Sequence, residues 1–284
     1  MSPVLGSHVS AAGGVSKAFE RAQSIGCQTM QIFTRNQNRW ASKPLDPSEI
    51  KKWHAAAEET GIRPTISHAS YLINLGSPDD ALWEKSIDAL VDELQRAEAL
   101  GLLGVVLHPG AHMQEGEDAG IARVAAGLDR AHLATDGFKT LTLLEITAGQ
   151  GTTLGYKFEH LAAMRAQAAN PERLAVCFDT CHAFAAGYDF REPAGYAAMM
   201  DEFDGTIGLD LLACFHFNDS KGGLGSRKDR HEHIGQGAIG VSGFAHILND
   251  PRFAAIPMIL ETPKSKDMHE DVENFQVLRS LLED

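Results

Sequence analysis

With 284 residues, 44% of them hydrophobic and 22% charged, the chain has the composition of a globular protein able to bury a substantial core. No apolar run approaches the ~20 residues of a membrane-spanning helix, and Met1–Ser10 has neither a basic start nor a long apolar stretch, so the expectation is a cytoplasmic protein without a membrane partner. The net charge of −13 excludes nucleic-acid binding through a general basic surface, and any such partner requires bound cations or a local cluster of Lys and Arg.

In chain order, short β-rich runs alternate with stretches of helical, 3.6-residue apolar period. Val4–His8 and Thr29–Phe33 come first, followed by a helix over Trp53–Glu59. Pro64–His68 precedes a helix over Ala81–Ala99, Gly104–His108 precedes one over Ile121–Leu133, and Thr140–Glu145 precedes one over Phe158–Gln167. Leu174–Asp179 is followed by a helical pattern at Tyr196–Phe203, Ala213–His216 by one at Val241–Leu248, and Pro257–Glu261 is the last run. Eight runs give about 35 residues per repeat, and no Pro/Ser-rich linker or charge block divides them. The reading is α/β, a single (β/α)₈ TIM barrel over residues 1–284, with a doubly wound open sheet as the structural alternative. Cys27, Cys177, Cys181 and Cys214 form no Cys-x-x-Cys pair and read as reduced structural thiols.

Seven of the eight runs end on a residue that can bind a metal: His8, His68, His108, Glu145, Asp179, His216 and Glu261; the second ends in Phe33-Thr34. Strand C-termini of a parallel barrel converge on one rim, so residues distant in sequence meet there. A single strand-end His, Asp or Glu is usually structural or a helix N-cap. Seven together, without cations between them, would bury unpaired charge at several kcal/mol each. A polynuclear metal cluster removes that cost. Asp179-Thr-Cys-His182 adds an imidazole three residues past a strand-end carboxylate, and Asp229-Arg-His231 places two ligand types at i, i+2, on one side of an extended segment. Imidazole and carboxylate without thiolate is the donor set of catalytic zinc or manganese. His54, His132, His160, His246 and His269 fall in helical patterns and receive no role.

These segments have a family likeness. Gly6-Ser-His-Val-Ser-Ala-Ala-Gly-Gly14, His68-Ala-Ser-Tyr-Leu-Ile-Asn-Leu75, Leu107-His-Pro-Gly110, Glu145 followed by Thr-Ala-Gly-Gln-Gly151, Cys177-Phe-Asp-Thr-Cys-His-Ala-Phe184, His216-Phe-Asn-Asp219, Gly225-Ser-Arg-Lys-Asp-Arg-His231 and Leu260-Glu-Thr262 resemble the endonuclease IV family of apurinic/apyrimidinic-site nucleases over essentially the full chain. The resemblance implies three zinc ions held by His68, His108, Glu145, Asp179, His182, His216, Asp229, His231 and Glu261, with His8 beside the ligands. It implies hydrolysis of duplex DNA on the 5′ side of an abasic site, leaving a 3′-hydroxyl and a 5′-deoxyribose phosphate, with cleaning of blocked 3′ ends. Glu145 is then the catalytic residue, bridging two ions and helping to hold a metal-bound hydroxide as nucleophile. Tyr71 and Leu72 match side chains that fill the gap left by the displaced abasic nucleotide. Asn36, Gln37, Asn38 and Arg39 match a second DNA-contacting loop, Lys221, Arg227, Lys228 and Arg230 are candidate phosphate contacts, and the family leans to monomers. Three zinc ions would also move the formal charge from −13 to −13 + 6 = −7.

Two departures from the family pattern stand out. The usual Asn-Gln-Arg-x-Trp reads Asn36-Gln37-Asn38-Arg39-Trp40, which displaces the inserting Arg by one position, and Ile146 replaces the Asn that often follows the bridging Glu. The competing reading is a metal-dependent sugar isomerase or epimerase on the same barrel, which needs fewer ligands and a proton-transfer Lys or carboxylate pair. A non-catalytic zinc-stapled DNA-binding module is disfavoured because structural zinc sites are usually thiolate-rich.

Overall fold

The computed structural model describes residues 3–283. Every expected run forms a strand: β1 (Val4–His8), β2 (Thr29–Ile32), β3 (Thr65–His68), β4 (Gly104–Leu107), β5 (Leu141–Glu145), β6 (Leu174–Asp179) and β7 (Leu212–His216). A two-residue antiparallel pair follows, β8 (Asp219–Ser220) with β9 (His231–Glu232), before the eighth barrel strand, β10 (Pro257–Leu260). The parallel strands close in the order β1-β10-β7-β6-β5-β4-β3-β2, which settles the choice between a closed barrel and an open sheet.

The two-residue period of a strand explains what fills the barrel and what caps it. Ile66, Val106, Leu143, Cys177, Cys214 and Ile259 form a buried cluster of their own. Each stands two positions before a predicted site residue (His68, His108, Glu145, Asp179, His216 and Glu261), so the site is the next inward layer toward the strand C-termini. In β1 and β2 the same inward positions hold Gly6 and Gln31. A Cβ on Gly6 would collide with the Thr29 carbonyl, so glycine lets β1 close against β2. The outward residues, among them Leu5, Met30, Ile32, Val105, Leu107, Leu144, Val176, Phe178, Phe215, Met258 and Leu260, join the larger core beneath the helices.

The helices are α1 (Lys17–Ser24), α2 (Pro47–Thr60), α3 (Asp80–Leu100), α4 (Glu117–Ala134), α5 (Phe158–Gln167), α6 (Thr180–Ala186), α7 (Pro193–Thr206), α8 (Gly240–Leu248) and α9 (His269–Ser280). Capping chemistry sets α2 and α3. Asp46 and Asp79 accept backbone N–H bonds at their starts, and Gly61 and Gly101 end them in the left-handed conformation. Among the described residues, no helix is long and apolar enough to cross a membrane.

Helices α1, α6 and α9 lie outside the runs expected from periodicity. Every residue of α6 is buried except its last, which is half-buried, so it has no polar face to create a period. Helix α1 spans only eight residues, and α9 buries four positions among many charges. The β8–β9 pair is too short for alternation to be visible.

Candidate active site

Nine side chains predicted from separate segments meet at the C-terminal mouth of the barrel. Among the groups whose donor atoms lie within 4.8 Å of one another, three sets together use all nine: His68, His108 and Glu145; Glu145, Asp179, His216 and Glu261; and His182, Asp229 and His231. Two other groups, one of Cys177, Cys214 and His216 and one of Asp179, Cys181 and His231, include a thiol. Glu145 belongs to two of the three sets. Its Oε2 faces His108 Nε2 at 3.0 Å and His68 Nε2 at 3.3 Å, while its Oε1 faces His216 Nδ1 at 3.1 Å and His182 Nδ1 at 3.2 Å. In the third set, Asp229 Oδ1 lies 3.2 Å from His182 Nε2 and 3.3 Å from His231 Nε2. Asp179 is also the N-cap of α6, accepting the His182 N–H at 2.7 Å, so the helix start fixes the spacing of the Asp-Thr-Cys-His string.

Four of the five imidazoles have one ring nitrogen on a protein acceptor and the other facing a carboxylate or carboxylates; the His182 Nδ1 that meets a backbone carbonyl also lies 3.2 Å from Glu145 Oε1. His68 Nδ1 donates to Ala69 O at 2.7 Å, His182 Nδ1 to Ile146 O at 3.0 Å, and His231 Nδ1 to Glu261 O at 3.2 Å. His216 reverses the nitrogens, with Nε2 donating to Gln31 Oε1 at 2.8 Å. Such bonds select the tautomer whose remaining nitrogen is a lone pair. Three of the buried inward atoms, Glu145 Oε2, His182 Nε2 and His231 Nε2, have no hydrogen-bond partner. Lone pairs converging on unpartnered carboxylate oxygen in a buried place fit divalent cations, and the mixed N/O donor set fits zinc.

The carboxylates and imidazoles shift one another's acidity. Burial alone would lower the His216 imidazole, but Glu261 and Glu145 push it up to about 10. Burial would raise the Glu145 carboxyl, yet His108 and His216 hold it well below the usual carboxylate range. A divalent cation bound there would displace the proton from His216.

His8 lies beside Glu261, with Nδ1 at 3.5 Å from Oε1, and belongs to none of the three sets. Desolvation keeps its pKa below the ordinary value. Phe33, the strand end without a donor, walls the imidazoles, with its ring 4.4 Å from His8 and 5.6 Å from His68 between centroids. Cys181 is buried, its thiol pushed up to about 12 by desolvation and directed at Arg230 O at 3.6 Å. All four cysteines are free thiols.

Two supporting amides were missed because neither is a ligand type. Asn218 donates to Asp179 Oδ2 at 2.7 Å and accepts the Glu261 N–H at 2.8 Å. Gln31 links His216, Glu261 and His8. A glutamine inside the otherwise apolar Met30–Ile32 run was the available signal.

The chain matches the family described as xylose isomerase-like TIM barrel over residues 19–281. It is 52% identical over 281 residues to the probable endonuclease 4 of Chloroflexus aurantiacus, covering 99% of both chains. With the probable endonuclease 4 of Geobacter sulfurreducens it shares 48% identity over 282 residues, covering 99% of this chain and 95% of the relative. The chain belongs to the endonuclease IV family. The crystal structure of endonuclease IV from Thermus thermophilus superposes with a TM-score of 0.87 at 40% identity, covering 98% of both chains. A D-tagatose 3-epimerase-like protein reaches a TM-score of 0.74 at 17% identity, over 97% of this chain and 96% of the other, a likeness of fold alone. The chain is accordingly a nuclease, and the isomerase reading is set aside.

In this endonuclease IV family member, Ile146 does its work through the backbone. Its carbonyl orients His182 while its side chain is buried, so replacing the frequent Asn leaves that bond in place. The rim carries the loops singled out for DNA. Tyr71 is 58% exposed, with its ring 5.0 Å from His68 and 5.6 Å from His108; Leu72 beside it is half-buried. Asn36 Oδ1 accepts the Asn38 N–H at 2.9 Å, a turn that leaves both Asn38 and Arg39 exposed at its tip, with Gln37 half-buried. Lys221, Arg227, Lys228 and Arg230 are exposed; Arg227 stacks over Tyr156 at 4.5 Å and Lys221 faces Glu232 at 3.8 Å.

A buried ionic network behind the rim was also missed. Glu93 of α3 accepts from Thr34 Oγ1 at 2.8 Å and from Ser70 N at 3.3 Å. Arg35 pairs with Asp92 at 2.7 Å and donates to the carbonyls of Arg39 and Trp40, while Arg96 holds Thr34 O and Lys43 O. The two exposed loops thus share one rigid support.

Proposed function

We propose that the chain is a zinc-dependent AP endonuclease that hydrolyses duplex DNA on the 5′ side of abasic sites, leaving a 3′-hydroxyl and a 5′-deoxyribose phosphate, and that cleans blocked 3′ ends. It acts as a monomer in the cytoplasm. The observation that carries the reading is the arrangement of nine donors in three sets sharing Glu145, with imidazole tautomers fixed from outside the cluster. The ligand sets for the three ions are His68, His108 and Glu145; Glu145, Asp179, His216 and Glu261; and His182, Asp229 and His231.

Zinc ions bound there would lower the pKa of water to ~7 and neutralise charge on the attacking and leaving oxygens of a phosphodiester. The protein's own part is positional. Glu145 spans two sets with its two carboxylate oxygens and is the catalytic residue. Asn218 fixes Asp179, and the backbone carbonyls of residues 69, 146 and 261 fix three rings. Phe33 and Tyr71 wall the cluster on one side. Tyr71 and Leu72, with Asn36, Gln37, Asn38 and Arg39, occupy the space opened by an extruded abasic nucleotide, whose missing base makes extrusion cheap. Lys221, Arg227, Lys228 and Arg230 contact phosphates.

A gel assay on duplex DNA with one abasic analogue tests this. The zinc-loaded protein is expected to cut once, 5′ to the lesion, to lose that activity after prolonged chelation and to regain it with added zinc. Uncut duplex in the zinc-loaded reaction would overturn the reading.

A further inference from the structure

Gln31 is fully buried in the inward layer of β2, and every polar atom of its amide is engaged at the site. Oε1 accepts from His216 Nε2 at 2.8 Å, and Nε2 donates to Glu261 Oε1 at 2.6 Å and to His8 Nδ1 at 2.9 Å. The chemistry of the partners allows one orientation of the amide. Flipped, it would set its oxygen against the Glu261 carboxylate and its NH₂ against a ring N–H.

We propose that Gln31 is a positioning residue for the cation held by Glu145, Asp179, His216 and Glu261, a proposal that rests on the metal reading above. The acceptor Oε1 keeps the proton of His216 on Nε2, so that Nδ1, which lies 3.1 Å from both Glu145 Oε1 and Glu261 Oε2, presents a lone pair to the ion. The donor Nε2 holds one oxygen of Glu261 and leaves the other, Oε2, facing His216. One neutral side chain thereby aligns ligands from two strands without adding charge to a cluster that already holds four carboxylates. Outer partners of this kind change metal affinity by ~10–100-fold.

The test is a competition titration of the metal-free protein with zinc against a chromophoric chelator, together with ¹⁵N NMR of the histidine rings in the zinc-loaded state. For Gln31→Met, similar in size but without an amide, one of the zinc equivalents is expected to weaken at least ~10-fold while the others stay unchanged. The His216 Nε2–H signal should shift or disappear. Gln31→Glu, which keeps an acceptor opposite His216, should retain that signal, a distinction that a merely space-filling role would not produce. Gln31→Asn, one methylene too short to span both partners, carries the same affinity expectation should Gln31→Met fail to fold. Unchanged affinity and an unchanged His216 signal in Gln31→Met, with the parent binding zinc normally, would overturn the proposal alone. A parent that binds no zinc would overturn the metal reading and this proposal together.

Discussion

Glu145 has no exposed surface and four imidazoles within 3.3 Å of its two oxygens. Substitution with Gln keeps the size and removes the charge that two of the donor sets share. Glu145→Gln is expected to fold, to bind fewer zinc ions and to lose incision by at least ~100-fold; activity within a few-fold of the parent would remove the bridging role. At the rim, Tyr71 contributes an exposed ring and no donor atom to the three sets. Tyr71→Ala should therefore weaken binding to an abasic duplex by ~5–10-fold or more, in line with ~1–3 kcal/mol for an aromatic stacked against a nucleotide, and leave zinc content unchanged. Equal affinity of variant and parent in a fluorescence-anisotropy titration would take Tyr71 out of the recognition surface. The contrast with Gln31, Asn218 and Glu93 explains what was legible in the sequence. His, Asp and Glu at the ends of apolar runs announce themselves by chemistry that an apolar strand cannot otherwise hold. A buried amide, or a carboxylate in the middle of a helix, is chemically ordinary until its partners are known, and those partners lie in other elements.

At the scale of elements, α3 joins the fold to the proposed recognition surface. Its Glu93 bonds both the Thr34 hydroxyl and the Ser70 amide, and burial pushes its carboxyl up while Thr34 and Arg35 oppose that rise. Glu93→Leu leaves Asp92 as the remaining carboxylate on Arg35 and removes the acceptor of the Thr34 hydroxyl and the Ser70 amide, at an expected cost of ~1–3 kcal/mol. It should also loosen the loops around residues 34–43 and 70–74. Denaturant unfolding and binding to an abasic duplex should both weaken, with zinc content retained; loss of stability without any change in binding would separate the network from recognition. On α4, burial and the nearby Arg173 lower His132 to about 4. The unfolded chain takes up this proton near 6.5 and the folded chain only near 4, so stability is whole above 6.5 and falls as the pH drops between those values, by about 3 kcal/mol. His132→Gln, which retains an amide donor for the Thr142 hydroxyl now bonded at 3.0 Å, should lose that much less stability between pH 7 and 4. An identical pH profile by urea unfolding would contradict the assignment. Strands and the longer helices were readable because burial on one face imprints a period. Helix α6, covered on all sides, and the two-residue β8–β9 pair carry no such imprint; the segment after β9 is held by the backbone N–H groups of Gly235, Gly237, Ile239 and Gly240 on the buried Asp219 carboxylate.

For the whole molecule, the charge of −13 and a polyanionic substrate are reconciled by location. Acidic residues of the outer helices are partly spent in surface pairs such as Glu84 with Arg130 and Asp80 with Arg123, whereas Arg39, Lys221, Arg227, Lys228 and Arg230 are exposed on loops around the mouth. At the centre, Glu145, Asp179, Asp229 and Glu261 contribute negative charge that three divalent ions would reverse locally, turning the most acidic part of the barrel into its most phosphate-attracting part. The barrel could be read from repetition alone, but the convergence of the Asp229–His231 segment with His182 could not, because no barrel strand carries it there. What the mouth holds is decided by the number of cations it takes up, and the direct measurement is a zinc titration of the metal-free chain with elemental analysis of the loaded protein. Three tightly held zinc ions per chain are expected, with binding accompanied by proton release; fewer than three tight equivalents would mean that the nine donors do not form three cation sites.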